Sequence, residues 1–231
     1  MSLHLIPTPL GDNELNQVLP QSVLDAVINI RLFFVEELRT GRRFLSKAGF
    51  RGRIEELTLL ELNEHTDRAT IEGYSGLLKE RDAAIISEAG LPAVADPGAL
   101  LVELAHRNNI EVIPYVGPSS LMMALMASGM NGQCFAFNGY LPVKKEERRQ
   151  ALMGIEKTSA QKSQSQIMIE TPYRNDSLFE DMLAVLKEST RICIAADITL
   201  PTQFIKTRTV GSWKKAKITI GKRPCVFIIQ A

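Results

Sequence analysis

The chain has 231 residues, 45% of them apolar and 23% charged, which supplies real hydrophobic cores for one large or two small domains and excludes a disordered chain. A net charge of +1 excludes a strongly basic nucleic-acid-binding domain and leaves room for a local basic patch. The cysteines Cys134, Cys193 and Cys225 each sit alone in an apolar run, so they read as reduced, buried thiols of a cytoplasmic protein. The opening MSLHLIPTPLG lacks the basic and apolar regions of a secretory signal.

Taken in chain order, β-type apolar runs alternate with helical patterns. Strands are predicted over 3–7, 30–35, 83–87, 111–115, 134–138, 166–170, 191–196, 205–210 and 226–230. Helices are predicted near 14–28, 37–48, 67–80, 98–108, 119–129, 145–157, 174–188 and 211–216. Strict alternation in the first half predicts a mostly parallel sheet with helices on both faces, and the runs FFV and AAII fit strands buried on both sides. The second half ends in FIKTRTV and CVFIIQA, separated only by the short helical piece SWKKAK, which predicts a mixed sheet. The expected architecture is therefore two-lobed α/β, with domains 1–117 and 118–231.

Residues 112–143 carry no charge, but Pro114, Gly117, Pro118, Gly129 and Gly132 interrupt them, so no membrane helix is expected. They read as strand, turn, buried helix, turn and strand, of the kind that lines a deep cleft between domains. On that helix Met122, Met123, Met126 and Met130 are expected to pack in the core. The polar stretch Ser159–Ser165 is expected to be an exposed, flexible loop.

Gly/Pro turns follow predicted strands at Ile6–Gly11, at Ser87–Pro92 with its extension Ala95-Asp96-Pro97-Gly98, and at Val116–Ser120. Two readings stand for them. They are ordinary strand-to-helix turns, with Asp96 and Ser119 capping helices. Alternatively, they form one lip of a ligand site at the carboxyl ends of the strands, where glycine lets the backbone approach a ligand. No G-x-G-x-x-G or P-loop occurs, so spacing alone does not specify a nucleotide-like cofactor.

The motifs resemble those of a known family. LIPTPLG is similar to VPTPIGN, SEAGLPAVADPG to SDAGTPGISDPG, VGPSSLMMALMASGM to PGPSAAITALVASGL, FNGYLPVKKEERR to FEGFLPRKKGERR, and ETPYRN to ESPHR. In this order they resemble the tetrapyrrole methylase superfamily, and within it the small-subunit rRNA (cytidine-2′-O)-methyltransferases. The resemblance implies a bilobal fold, S-adenosylmethionine as cofactor and commonly a homodimer. Carried over by position, it implies cofactor contacts from Pro9, Glu88, Gly90, Pro92, Ala93, Gly117, Ser119 and Ser120. Departures fall at Val35–Arg39, where the family has A-E-D-T-R, and at Ala196–Leu200, where it has R-E-L-T-K.

Methyl transfer from a sulfonium is an in-line displacement in which the protein mainly positions and desolvates. It needs no metal, and His4, His65 and His106 have no ligand-like spacing. A ribose hydroxyl is a poor nucleophile, so a general base helps. Glu36 and Asp96 sit where such groups belong; each is equally readable as an acid favoured by a helix N-terminus. Lys144, Lys145, Arg148 and Arg149 form a run suited to phosphate contacts, extended by Arg39, or else a solvated salt-bridged helix turn. His65, in an N-E-H cluster similar to the family's, has a substrate-side reading and a surface reading. The leading expectation is 2′-O-methylation of small-subunit ribosomal RNA. The competing ones are a methyltransferase for a small molecule such as a tetrapyrrole, and a non-catalytic RNA-binding assembly protein.

Overall fold

The structure is a computed structural model that describes residues 1–231. The chain divides into two compact units, Met1–Ser119 and Ser120–Ala231.

The first unit is built on five parallel strands, β1 (Ser2–Ile6), β2 (Leu32–Val35), β3 (Thr58–Glu61), β4 (Ala83–Ile86) and β5 (Glu111–Pro114), in the order β3-β2-β4-β1-β5. Around it run α1 (Leu15–Val18), α2 (Gln21–Asn29), α3 (Leu38–Leu45), α4 (Arg68–Gly73), α5 (Ser75–Glu80) and α6 (Ala99–Arg107). Side chains alternate across the pleat, so one strand feeds two cores. Phe33 and Val35 pack with Val23, Val27 and Phe44 on one face, while Leu32 and Phe34 pack with Ile71, Leu101 and Leu104 on the other. Each such buried side chain contributes about 1.5–3 kcal/mol relative to exposure. The continuous apolar runs FFV and AAII are thereby explained as strands covered on both faces.

The topology creates a crevice. The β1-to-β2 crossover packs α1 and α2 on one face, and the β4-to-β5 crossover packs α6 on the other. The neighbouring strands β1 and β4 thus send their connections in opposite directions, and their carboxyl ends open between them.

The second unit carries β6 (Phe135–Tyr140), β7 (Ser165–Ile169), β8 (Arg191–Ala196), β9 (Phe204–Thr209) and β10 (Cys225–Gln230), ordered β6-β7-β10-β8-β9. Only the β6–β7 pair is parallel, so the sheet is mixed as expected. Its helices are α7 (Ser120–Ser128), α8 (Lys145–Lys162), α9 (Asn175–Val185) and α10 (Val210–Lys214). Leu152, Met168, Met182, Ile194, Trp213 and Phe227 make its core. Trp213 satisfies its buried indole N–H on the Ile192 carbonyl at 2.9 Å and meets Phe179 edge-on.

Three expectations are corrected. The strand β3 was not anticipated: it is a short edge strand whose residues are exposed or half-buried, so TLLE lacks the alternation that reports a covered face. Ser159–Ser165 is not a flexible loop, because α8 continues to Lys162 and both Ser159 and Ser165 are fully buried. The Ser159 hydroxyl donates to the Gln164 carbonyl at 2.7 Å, closing the helix end around a left-handed Ser163. On α7, Leu121, Ala124 and Leu125 face the core, whereas Met122 and Met126 stand exposed.

Candidate functional site

The carboxyl ends of β1 and β4 are tied together just beyond the strands. Thr8 N–H donates to the Gly90 carbonyl at 2.9 Å, and Gly90 N–H donates to the Thr8 carbonyl at 3.1 Å. The buried Thr8 hydroxyl adds a bond to the Ser87 carbonyl at 3.2 Å. Gly90 adopts φ +87, which L side chains rarely adopt, and a Cβ there would press on Leu10 at 3.3 Å. Left-handed backbone recurs in the same loop at Ala93, Ala95 and Gly98. Non-glycine residues in that conformation store strain, a feature concentrated at ligand sites.

Beside this clamp lies a cleft of about 200 Å³, lined among others by Pro9, Glu36, Thr40, Lys47, Ser87 and Glu88. Cavities for whole ligands run to about 300–1,000 Å³, so this cleft is smaller than one that encloses a whole ligand. Thr40 donates its hydroxyl to the Glu88 carboxylate. Thr40 is itself set by the first turn of α3, where Glu37 caps Arg39 N–H at 2.9 Å and Thr40 N–H at 2.7 Å. Across the cleft Asp12 accepts from Lys47 at 3.0 Å and pairs with Arg43 at 3.4 Å. Those two bonds and charges hold its carboxyl below the usual carboxylate range.

The carboxyl groups of Glu36, Glu88 and Asp96 act on one another here. Burial and the charges of Glu88 and Glu64 raise Glu36, against the pull of a hydrogen bond from the Glu88 backbone. Its Oε2 is buried without a partner. Asp96 is pushed up to about 7, by burial first and then by the charge of Glu36, with the Ser87 side chain pulling it back and Glu88 adding to the rise. A carboxyl near 7 takes and gives protons at neutral pH, which most aspartates do not. Asp96 is also not a helix cap: Gly98 holds that position for α6.

The predicted site residues therefore divide. Pro9, Glu36 and Glu88 line the cleft, Gly90 forms its clamp, and Asp96 shares its charge network. Pro92, Ala93, Gly117, Ser119 and Ser120 are not among the residues lining it. Gly117 has a packing reason of its own, since a Cβ there would lie 2.2 Å from Pro7. His65 stands in solvent beside Glu64, and Arg39 is exposed on α3.

Arg148 is a correction. It does not present a charge to solvent: its side chain is 4% exposed and grips Asp181 from Nε at 2.8 Å and Nη2 at 2.5 Å. It also donates to the Val143 carbonyl and the Ser177 hydroxyl. Four of the five N–H donors of the guanidinium are thus used inside the fold. Arg149 shares the same carboxylate at 2.7 Å, while Lys144 and Lys145 remain exposed. Thr40 and Lys47 went unnoticed in the sequence, and Thr8 and Ser87 were read only as parts of turns, because their significance lies in contacts with distant segments.

A parallel sheet opening a crevice at its carboxyl ends, followed by a mixed sheet, is the fold of the tetrapyrrole methylase superfamily. Solved structures bear this out: the chain is similar to diphthine synthase with a TM-score of 0.68 at 14% identity, covering 100% of this chain and 90% of that one. It is similar to the methyltransferase CobJ with a TM-score of 0.62 at 14% identity, covering 99% and 93%.

Sequence relatives narrow the assignment. A protein of Escherichia coli O157:H7 named ribosomal RNA small subunit methyltransferase I is 30% identical over 232 residues, covering 99% of this chain and 77% of the relative. A Vibrio cholerae protein of the same name is 31% identical over 204 residues, covering 88% and 67%. No protein-family model matches the chain. The chain belongs to the ribosomal RNA small subunit methyltransferase I family, and it is an S-adenosylmethionine-dependent methyltransferase.

Proposed function

We propose that this enzyme methylates a ribose 2′-hydroxyl of small-subunit ribosomal RNA, with its cofactor held at the carboxyl ends of β1 and β4 and Asp96 as general base. The observation that carries the reading is the Asp96 carboxyl raised to about 7 beside a clamped, strained loop. The relatives' shared name supports ribosomal RNA as substrate. The likeness to uroporphyrin-III-C-methyltransferase, at 16% identity and a TM-score of 0.57, concerns the fold and does not favour a tetrapyrrole.

The residues present fit a cationic cofactor. Glu36 and Glu88 place carboxyl groups in the cleft with Asp96 coupled to them, and the glycine at 90 leaves room for the backbone to approach a ligand. S-adenosylmethionine supplies an electrophilic methyl group when bound. The chain's own part is to orient and to move a proton. Pro9, Glu88 and the Gly90 turn hold the ligand side of the crevice. An Asp96 oxygen accepts the proton from the substrate hydroxyl. Burial first, and the charge of Glu36 second, keep Asp96 basic enough for that step. Lys144, Lys145 and the partly exposed Arg149 are the candidates for phosphate contacts, with Arg39 and His65 as further substrate-side candidates.

No helix is long and apolar enough to cross a membrane. A cytoplasmic location and a homodimer belong to the same reading. The dimer is supported by β6, an edge strand with Phe135, Phe137 and Tyr140 exposed. Light scattering of the purified protein checks it. The substrate is tested by mapping ribose methylations in ribosomal RNA from a strain lacking the gene, with a complemented control. One small-subunit ribose methylation is expected to vanish and return. If every one persists, the substrate assignment fails.

A further inference from the structure

Among the aromatic side chains of the second unit, one stands furthest into solvent. Tyr173, in the turn between β7 and α9, is 80% exposed. Burying an aromatic ring withdraws about 150–250 Å² from water, so folding gains little from this ring as it stands. Its one described contact is a cation: the Lys222 ammonium lies 5.2 Å from the ring centroid.

The backbone on either side of both partners is braced by hydrogen bonds. Thr171 N–H donates to Glu170 Oε1 at 2.6 Å, Arg174 Nη2 donates to the same oxygen at 2.6 Å, and Arg174 N–H closes the turn on the Thr171 carbonyl at 2.9 Å. The Lys222 segment is fastened from the start of α9. The fully buried Asn175 donates from Nδ2 to the Gly221 carbonyl at 3.0 Å and the Arg223 carbonyl at 2.7 Å. Asp176 accepts from Ile220 N–H at 2.7 Å and Gly221 N–H at 3.1 Å. The two backbone segments are thereby fixed, and the Lys222 ammonium lies over the Tyr173 ring. Arg174 and Arg223 are occupied by Glu170 and Asp197, which leaves Lys222 as the cation turned to the ring.

We infer that Tyr173 and Lys222 form a stacking platform for single-stranded RNA, the ring taking a base and the ammonium a phosphate. The inference rests on RNA being the substrate. An exposed aromatic on a braced turn with an adjoining cation is the combination that unpaired bases use, and stacking tolerates any base because each has a π-face. Pre-organisation lowers the ordering cost of binding.

The test is fluorescence anisotropy of the full chain with a short labelled oligocytidine RNA, at several salt concentrations. Calorimetry with S-adenosylmethionine serves as the control for folding. Tyr173→Ala is expected to weaken RNA binding about 5- to 100-fold, and Tyr173→Phe to stay within about twofold of the parent. Lys222→Ala is expected to reduce the slope of log affinity against log salt by about 1. Parental affinity in Tyr173→Ala, or a loss in Tyr173→Phe equal to that in Tyr173→Ala, overturns the platform and leaves the RNA assignment standing. Absence of RNA binding by the parent protein overturns the assignment and the platform with it.

Discussion

Asp96 titrates against Glu36: burial first, and the Glu36 charge second, push the Asp96 carboxyl up to about 7. If Asp96 accepts the substrate proton, methyl transfer rises as pH passes upward through about 7. Glu36→Gln removes one raising charge, so the acid limb of kcat/KM is expected to shift to lower pH. A pH–rate profile with radiolabelled cofactor compares Glu36→Gln with the parent. An acid limb that stays in place removes Glu36 from the charge network.

The same shift has a consequence for stability. A carboxyl raised in the folded state contributes stability below its unfolded value of 3.8, and that contribution is lost as pH rises through about 7. Asp96→Asn should therefore be more stable than the parent at pH 8, and the gain should vanish near pH 4. After a discount for its partial solvent exposure the difference is about 1–2 kcal/mol. Urea denaturation at the two pH values measures it.

Gly90→Val is expected to abolish cofactor binding. A β-branched residue at φ +87 is strained, and its Cβ crowds Leu10 at 3.3 Å and the Pro118 carbonyl at 3.4 Å. The Thr8–Gly90 pair would have to yield, and with it the crevice. Gly90→Ala is the milder companion, expected to weaken binding at least about tenfold, roughly 1.4 kcal/mol. Unchanged calorimetric affinity in a folded variant excludes this turn from the site.

How far the sequence spoke depends on whether a signal was local. FFV and AAII announced doubly covered strands because burial on both faces leaves its mark in consecutive residues. TLLE announced nothing, since an edge strand with no buried face needs no pattern. Arg148 looked like a phosphate ligand because helical spacing shows which residues share a face and not what covers that face. Its partner Asp181 is 33 residues away. Glu36 and Asp96 were legible as acids after strands, but their coupling was not, because it arises from strand order. Thr8 was hidden for the same reason: its bond to Gly90 exists only once β1 and β4 are neighbours.

Asp181 gives the clearest stability prediction. Burial alone would raise its carboxyl, but the hydrogen bonds from Arg149 and Arg148 outweigh that and hold it low. Asp181→Ala leaves the Arg148 guanidinium, 4% exposed, without a counter-charge. The expected cost is about 3–5 kcal/mol in chemical denaturation. Lys145→Ala, on an exposed residue of the same helix, should cost under about 0.5 kcal/mol. A mild Asp181→Ala would mean that Arg148 finds solvent or another acceptor, and its reading as a phosphate contact would then reopen.

His4 sets a second pH dependence, of opposite sign to that of Asp96. Its Nδ1 lies 3.0 Å from the Tyr115 hydroxyl, the rings stack, and Nε2 is buried without a partner. Burial lowers its pKa from 6.5, with the charges of Asp82 and Glu111 opposing. The unfolded chain therefore binds this proton more readily than the folded one. Stability from His4 is complete above 6.5 and is lost as pH falls from there through the lowered folded value. His4→Phe keeps a ring against Tyr115 and removes the titration. Subtracting its stability profile from the parent's should leave a difference that grows with pH across that window. A flat difference would show that His4 stays as easily protonated in the fold as in water, and that the site admits solvent at Nε2.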